Sequence, residues 1–165
     1  MTIICLSVYT RNMNVKEPEV FDKCRQVAQS CAVFNLRKAS RALTQFYETA
    51  LRPSGLRVTQ FTLMVAVNLL GAITISRLAE TMVMDRTTLT RNLTLLEKKG
   101  FIKIIPGEDR RERVAVLTQP GRAALGKALP LWEETQSEIV KGLGHRRFSE
   151  MLANLMATVS LVKAG

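Results

Sequence analysis

The stretch from Asp85 to Thr118 constrains the fold of this chain more than any other. Asp85 is placed to cap a helix over Arg86–Lys99, because its carboxylate accepts a backbone N–H that a first helical turn leaves unpaired. At about 100° per residue, Leu89, Leu93 and Leu96 share one face of that helix. Thr87, Arg91 and Thr94 lie opposite, flanked by Thr88 and Leu95. Lys98 and Lys99 sit at the negative end of the helix dipole, and Gly100 suits the left-handed residue that ends a helix. Directly behind it, Phe101-Ile102-Lys103-Ile104-Ile105 and Arg113-Val114-Ala115-Val116-Leu117-Thr118 are rich in β-branched residues and read as two strands around a Pro106–Asp109 turn. Neither the leucine face nor the hairpin can bury itself alone, so both need further apolar elements.

Those elements are helical. From about Val20 to Leu51 apolar or small residues recur three or four apart, the stripe of one amphipathic helix that Arg52-Pro53-Ser54-Gly55 ends. Thr59 offers a cap for a helix through Leu70, closed by Gly71, and Thr74 caps a short helix through about Met82. Pro120 fits the first turn of another, running to about Lys141, and after Gly142, Gly144 and His145 a last apolar helix covers Arg146–Lys163. The chain is therefore mainly α. The order helix, short helix, capped helix, hairpin is that of a winged helix-turn-helix.

A length of 165 residues predicts about one compact domain, and 47% hydrophobic residues with 23% charged excludes a disordered chain. No apolar run approaches the roughly 20 residues needed to cross a bilayer, and Ile3–Leu6 lacks the flanks of a secretory signal, so a cytoplasmic protein without a membrane partner is expected. The three cysteines show no C-x-x-C spacing, which predicts neither a disulfide framework nor a metal site. A formal net charge of +10 points to a polyanionic partner, since each Lys or Arg that meets a phosphate releases condensed counterions. The excess is spread along the chain, so charge alone does not locate the site.

The residue types do. An Arg donates two parallel hydrogen bonds to guanine, and a Thr offers a hydroxyl or a methyl to a base edge, so Thr87, Thr88, Arg91 and Asn92, with Arg86 at the helix start, are candidate DNA-binding residues. At the hairpin tip, Arg110, Arg111 and Arg113 place three guanidinium groups in four positions, suited to phosphates or a narrow minor groove. Asp109 is expected to orient Arg111 rather than repel DNA.

From about Val20 to Lys163 the chain resembles the MarR family of transcription regulators. The run Arg86-Thr87-Thr88-Leu89-Thr90-Arg91-Asn92-Leu93, then Leu96-Glu97-Lys98-Lys99-Gly100-Phe101-Ile102, is similar to that family's recognition helix and first wing strand. Asp109-x-Arg111, Leu117-Thr118 and Gly121 are similar to its wing signature. The resemblance implies a homodimer on a palindromic operator, acting as a repressor, with a crevice for a small-molecule effector. Two apolar terminal segments, more than a small winged module covers, fit such a dimer. The expected organisation is an arm over 1–19, a dimerisation region over 20–55 and 120–165, and a winged DNA-binding domain over 56–119.

Cys24 and Cys31, seven residues apart on one helix, are too distant along its axis to bond to each other. Some peroxide-sensing members of that family carry a reactive cysteine near the place of Cys31, although Phe61 stands here where those members have Tyr. Both cysteines are thus candidate redox residues. His145 reads as a solvated helix end and Trp132 as a core or interface anchor. Nothing resembles a phosphate loop or a catalytic triad, so no enzyme, cofactor or bound metal is expected. Two other readings stand: a cysteine-based redox or metal sensor with DNA binding as its output, and a winged-helix module that binds protein.

Overall fold

A computed structural model describes residues 18–109 and 111–164. The arm expected over 1–19 lies outside them except at its end, and so do Cys5 and Arg110. Seven helices and three strands follow: α1 (Pro18–Ser30), α2 (Ala32–Leu51), a 3-10 turn (Arg52–Ser54), α3 (Val58–Leu70), β1 (Ile73–Thr74), α4 (Ile75–Met82), α5 (Arg86–Lys98), β2 (Ile102–Pro106), β3 (Arg113–Leu117), α6 (Gln119–Leu143) and α7 (His145–Ala164). Two compact units divide between Leu43 and Thr44. No described helix is long and apolar enough to cross a membrane.

In the first unit the single stripe expected from Val20 onward is interrupted at Cys31. No Pro or Gly causes the break. The Asn35 side-chain amide donates to the carbonyls of Ala28 (3.2 Å) and Cys31 (2.9 Å), taking up acceptors of the interrupted helical ladder. Val20, Phe21, Val27, Val33, Phe34 and Leu36 on these helices are exposed.

The second unit is built around α3, whose apolar residues lie on nearly all sides, as a central helix requires. Phe61, Leu63, Met64 and Val67 are buried in one core with Leu51 at the end of α2, Leu78 of α4, the Leu89, Leu93 and Leu96 face of α5, Ile102 of β2 and Ala128 of α6. Trp132 packs half-buried against this core, and His145 is exposed at the start of α7. The expected cap of α3 is corrected by two residues: it begins after Arg57, not Thr59. Its first N–H groups are satisfied otherwise, the Arg57 N–H by Gln60 Oε1 (3.2 Å) and the Val58 N–H by Glu48 Oε1 from α2 (3.1 Å), so a capping hydroxyl is unnecessary. Tyr47 donates its hydroxyl to Gln136 Oε1, joining α2 to α6, and burial raises its pKa.

Thr74 caps α4 as expected, accepting the Arg77 N–H at 3.2 Å. The turn into α5 is made by Val83, whose φ of 52° is left-handed, an unusual conformation for a β-branched residue. It is held by Met84 N–H to Ala79 O (2.9 Å) and Val83 N–H to Glu80 O (3.3 Å). At the start of α5 the Asp85 carboxylate accepts the Thr88 N–H at 2.7 Å. That bond, followed by the Thr88 hydroxyl, lowers the Asp85 pKa. At its end Gly100 takes φ 72°, its N–H bonding Glu97 O (2.8 Å) and the Phe101 N–H bonding Leu96 O (3.0 Å).

The sheet has three antiparallel strands in the order β1-β3-β2, with Ile102 opposite Leu117 and Pro106 opposite Arg113. The expected hairpin is its larger part, and β1 adds a short third strand pairing Ile73 with Ala115 and Thr74 with Val114. Thr118 locks the wing to the end of α5. Its hydroxyl shares its one proton between the carbonyls of Gly100 (2.6 Å) and Phe101 (3.0 Å) and accepts the Gly121 N–H (3.1 Å), which caps α6. A Cβ on Gly121 would lie 2.0 Å from the Phe101 carbonyl oxygen, so only glycine admits this approach.

Gly121→Ala is therefore expected to destabilise the fold by about 1–3 kcal/mol through backbone displacement, measurable by urea unfolding. Asp85→Asn keeps a capping side chain but removes its charge. Because the folded pKa of Asp85 lies below its unfolded value, the stabilisation by the carboxylate is complete above the unfolded value, about 3.9, and is lost as pH falls through the folded one. Thermal unfolding at pH 7 is expected to show Asp85→Asn below the parent, with the gap narrowing in acid; a gap independent of pH contradicts this account.

Candidate nucleic-acid interface

The interface is built from α5 outward. Leu89, Leu93 and Leu96 are each 0% exposed, which fixes the rotation of α5 about its axis and turns Arg86, Thr87 and Arg91 to solvent. Among the described residues neither Arg86 nor Arg91 has a carboxylate within 4 Å, so both guanidinium groups keep their donors for an outside partner. Thr88 is half-buried, with its N–H and hydroxyl directed at Asp85. Asn92, also half-buried, donates its side-chain amide to Thr88 O at 2.8 Å, so less of its amide is available than a sequence pattern suggests. The hydroxyls of Thr90 and Thr94 bond back to the carbonyls of Arg86 (2.7 Å) and Thr90 (2.9 Å). The face offered to solvent is thus carried by Arg86, Thr87 and Arg91, with Leu95, 47% exposed, beside them.

In the wing, Arg111 and Arg113 are exposed and, among the described residues, likewise lack a carboxylate partner, while Arg110 lies outside the described residues. Asp109, expected to orient Arg111, engages its backbone: the Asp109 Oδ1 accepts the Arg111 N–H at 2.8 Å and the Asp109 carbonyl the Glu112 N–H at 2.9 Å. With Gly107 N–H to Glu112 O at 3.0 Å, these bonds shape the tip. Lys103 is a further exposed cation on β2, not selected from the sequence although its alternation with buried Ile102 signals an outward position.

Apart from this surface, Cys24 is exposed and Cys31, at the helix break, is half-buried; both thiols are free. No cluster of metal-ligating side chains occurs among the described residues. A cavity of about 320 Å³ lies between α2 and α6, walled by Phe46, Ala50, Leu131 and Thr135 and edged by Glu134 and Glu138.

A basic helix face without carboxylate partners among the described residues, beside a basic wing, has the charge that suits a polyanionic partner. Residues 56–112 match the model of the MarR family. An uncharacterised helix-turn-helix transcriptional regulator of Bacillus cereus is 30% identical over 109 residues, 66% of this chain and 73% of its own length. This chain spans 64% of the length of a similar uncharacterised regulator of Bacillus subtilis, which is 25% identical over 87 residues, 53% of this chain. The crystal structure of the Mycobacterium tuberculosis transcriptional regulator MosR in complex with DNA superposes with a TM-score of 0.71 at 41% identity, covering 80% of this chain and 98% of that one. The chain belongs to the MarR family, whose members are DNA-binding transcriptional regulators and not enzymes.

Proposed function

We propose that the chain is a homodimeric repressor that reads a palindromic operator, with α5 in the major groove and the wing arginines on the flanking backbone or minor groove. The observation that carries this reading is Arg91, without a carboxylate partner among the described residues, on a face of α5 opposite three fully buried leucines. Arg91 is then the direct reader of a guanine, Arg86 and Thr87 work beside it, and Thr88 and Asn92 contribute chiefly by holding the helix start. Arg110, Arg111 and Arg113 supply the part of the affinity that does not depend on sequence.

The dimer is supported by apolar side chains that this chain leaves exposed. On α7, Leu152, Val159, Leu161 and Val162 are between 43% and 76% exposed, and α1 and α2 present a comparable set. A second copy removes that surface from water and sets two α5 helices on one face of a duplex, their half-sites about 34–36 Å apart. Residues 20–55 and 120–165 then form the dimerisation region and 56–119 the DNA-binding domain, and an operator places the protein in the cytoplasm. The α2–α6 cavity supports release by a small molecule, because a ligand wedged between these helices alters the separation of the two readers. The exposed Cys24 and the half-buried Cys31 support an oxidant as a further releasing signal.

Selection of bound duplexes from a random pool tests the whole reading, with a palindrome expected and a uniform pool overturning it. On the selected duplex Arg91→Ala is expected to lose about 1–3 kcal/mol and to flatten base preference at one position of each half-site. Arg111→Ala should instead weaken all duplexes alike and lower the salt slope by about one. If oxidant release runs through the thiols, Cys24→Ser/Cys31→Ser retains DNA under peroxide; release from that double variant equal to the parent's removes the cysteines from the mechanism.

A further inference from the structure

The ammonium of Lys99 does more than sit favourably at the end of a helix dipole. From the end of α5, its Nζ reaches back to the link between α2 and α3, donating to the Gly55 carbonyl at 3.1 Å and to Gln60 Oε1 at 3.2 Å. The Phe101 ring lies 5.9 Å from the same Nζ. Gln60 is 6% exposed, one of the few polar side chains in the core, and its Oε1 also accepts the Arg57 N–H at 3.2 Å. One buried oxygen therefore joins the start of α3 to the end of α5. The link itself is tied down: Ser54 donates to Leu51 O at 2.7 Å, Gly55 N–H bonds Arg52 O at 3.0 Å, and Glu48 on α2 holds the Val58 N–H.

We infer that Lys99 is a positioning residue for DNA reading, a clasp that fixes the tilt of α5 against the end of α2. The inference rests on the reading of α5 as the helix that meets DNA. The leucine face sets how α5 is rotated through contacts that have no preferred direction, and the charge-assisted hydrogen bonds of Lys99 to two oxygens add a directional restraint at its far end. The same contacts give α2 a mechanical hold on α5. A shift of α2 carries the link, Gln60 and Gly55 with it, and the Lys99 end of α5 follows.

The test compares the full-length parent with Lys99→Met, which keeps most of the apolar stem and removes the charge, with Lys99→Arg, and with Gln60→Met alone and combined with Lys99→Met. Lys99→Met is expected to keep its fold by circular dichroism and to lose roughly 3- to 30-fold in affinity for the selected palindrome. Its salt slope and its affinity for unrelated duplex should stay unchanged. Lys99→Arg should recover most of the loss, and the double variant should lose less than the sum of the two single losses, because both substitutions remove the shared Lys99–Gln60 bond. Palindrome affinity equal to the parent's overturns the clasp. So does a uniform loss on every duplex with the salt slope lowered by about one, which makes Lys99 a phosphate contact. Hydrogen exchange without DNA reads the clasp independently: amides of Leu95–Phe101 should exchange faster in Lys99→Met, and unchanged rates overturn the inference. A parent that binds no duplex removes the DNA reading itself, while the exchange result still decides whether the clasp exists.

Discussion

Burial of three leucines on one side of α5 is the constraint on which the rest depends. Each contributes about 1.5–3 kcal/mol when removed from water, and Leu89, Leu93 and Leu96 do so on successive turns of the same helix. With that face committed to the core, the rotation of the helix is set, and the position of every polar residue on it follows. Arg91 is available to a partner because Leu89 and Leu93 are not. The interface is in this sense a by-product of packing, with chemistry added at the positions that packing leaves out.

The second constraint is the corner where α5, the wing and α6 meet. A single hydroxyl, that of Thr118, engages the carbonyls just past the end of α5 and an N–H in the first turn of α6, and Gly121 lets the two backbones approach. The wing is consequently not an independent flap. The strand that leads out to its exposed arginines is continuous with the end of α5, so the base of the wing moves with the helix that carries Arg91.

Most of this was legible because it is encoded locally. Asp85 and Thr74 cap their helices with bonds to residues three positions on, Gly100 ends α5 by its own conformation, and the two wing strands carry alternating β-branched residues. Where the sequence misled, the deciding partner was distant or was a side chain acting on the backbone. Strand β1 is two residues long and exists only through pairing with β3, about 40 residues later. The start of α3 is set by Glu48, ten residues earlier. The break at Cys31 has no proline or glycine and is bridged by an asparagine amide four residues on. In the interface the exposed arginines were readable from periodicity, whereas the internal engagement of Thr88 and Asn92 and the reach of Lys99 across 44 and 39 residues were not.

The turn between α4 and α5 holds a valine in a backbone state that favours glycine. Such a residue stays put only because its neighbours overdetermine it, so the strain is released whenever those neighbours let go. Loosening this corner consequently requires less free energy than it would with a glycine there. The joint in front of the helix that carries Arg91 thereby stores strain, while the joint behind it relaxes into a glycine and is held by hydrogen bonds.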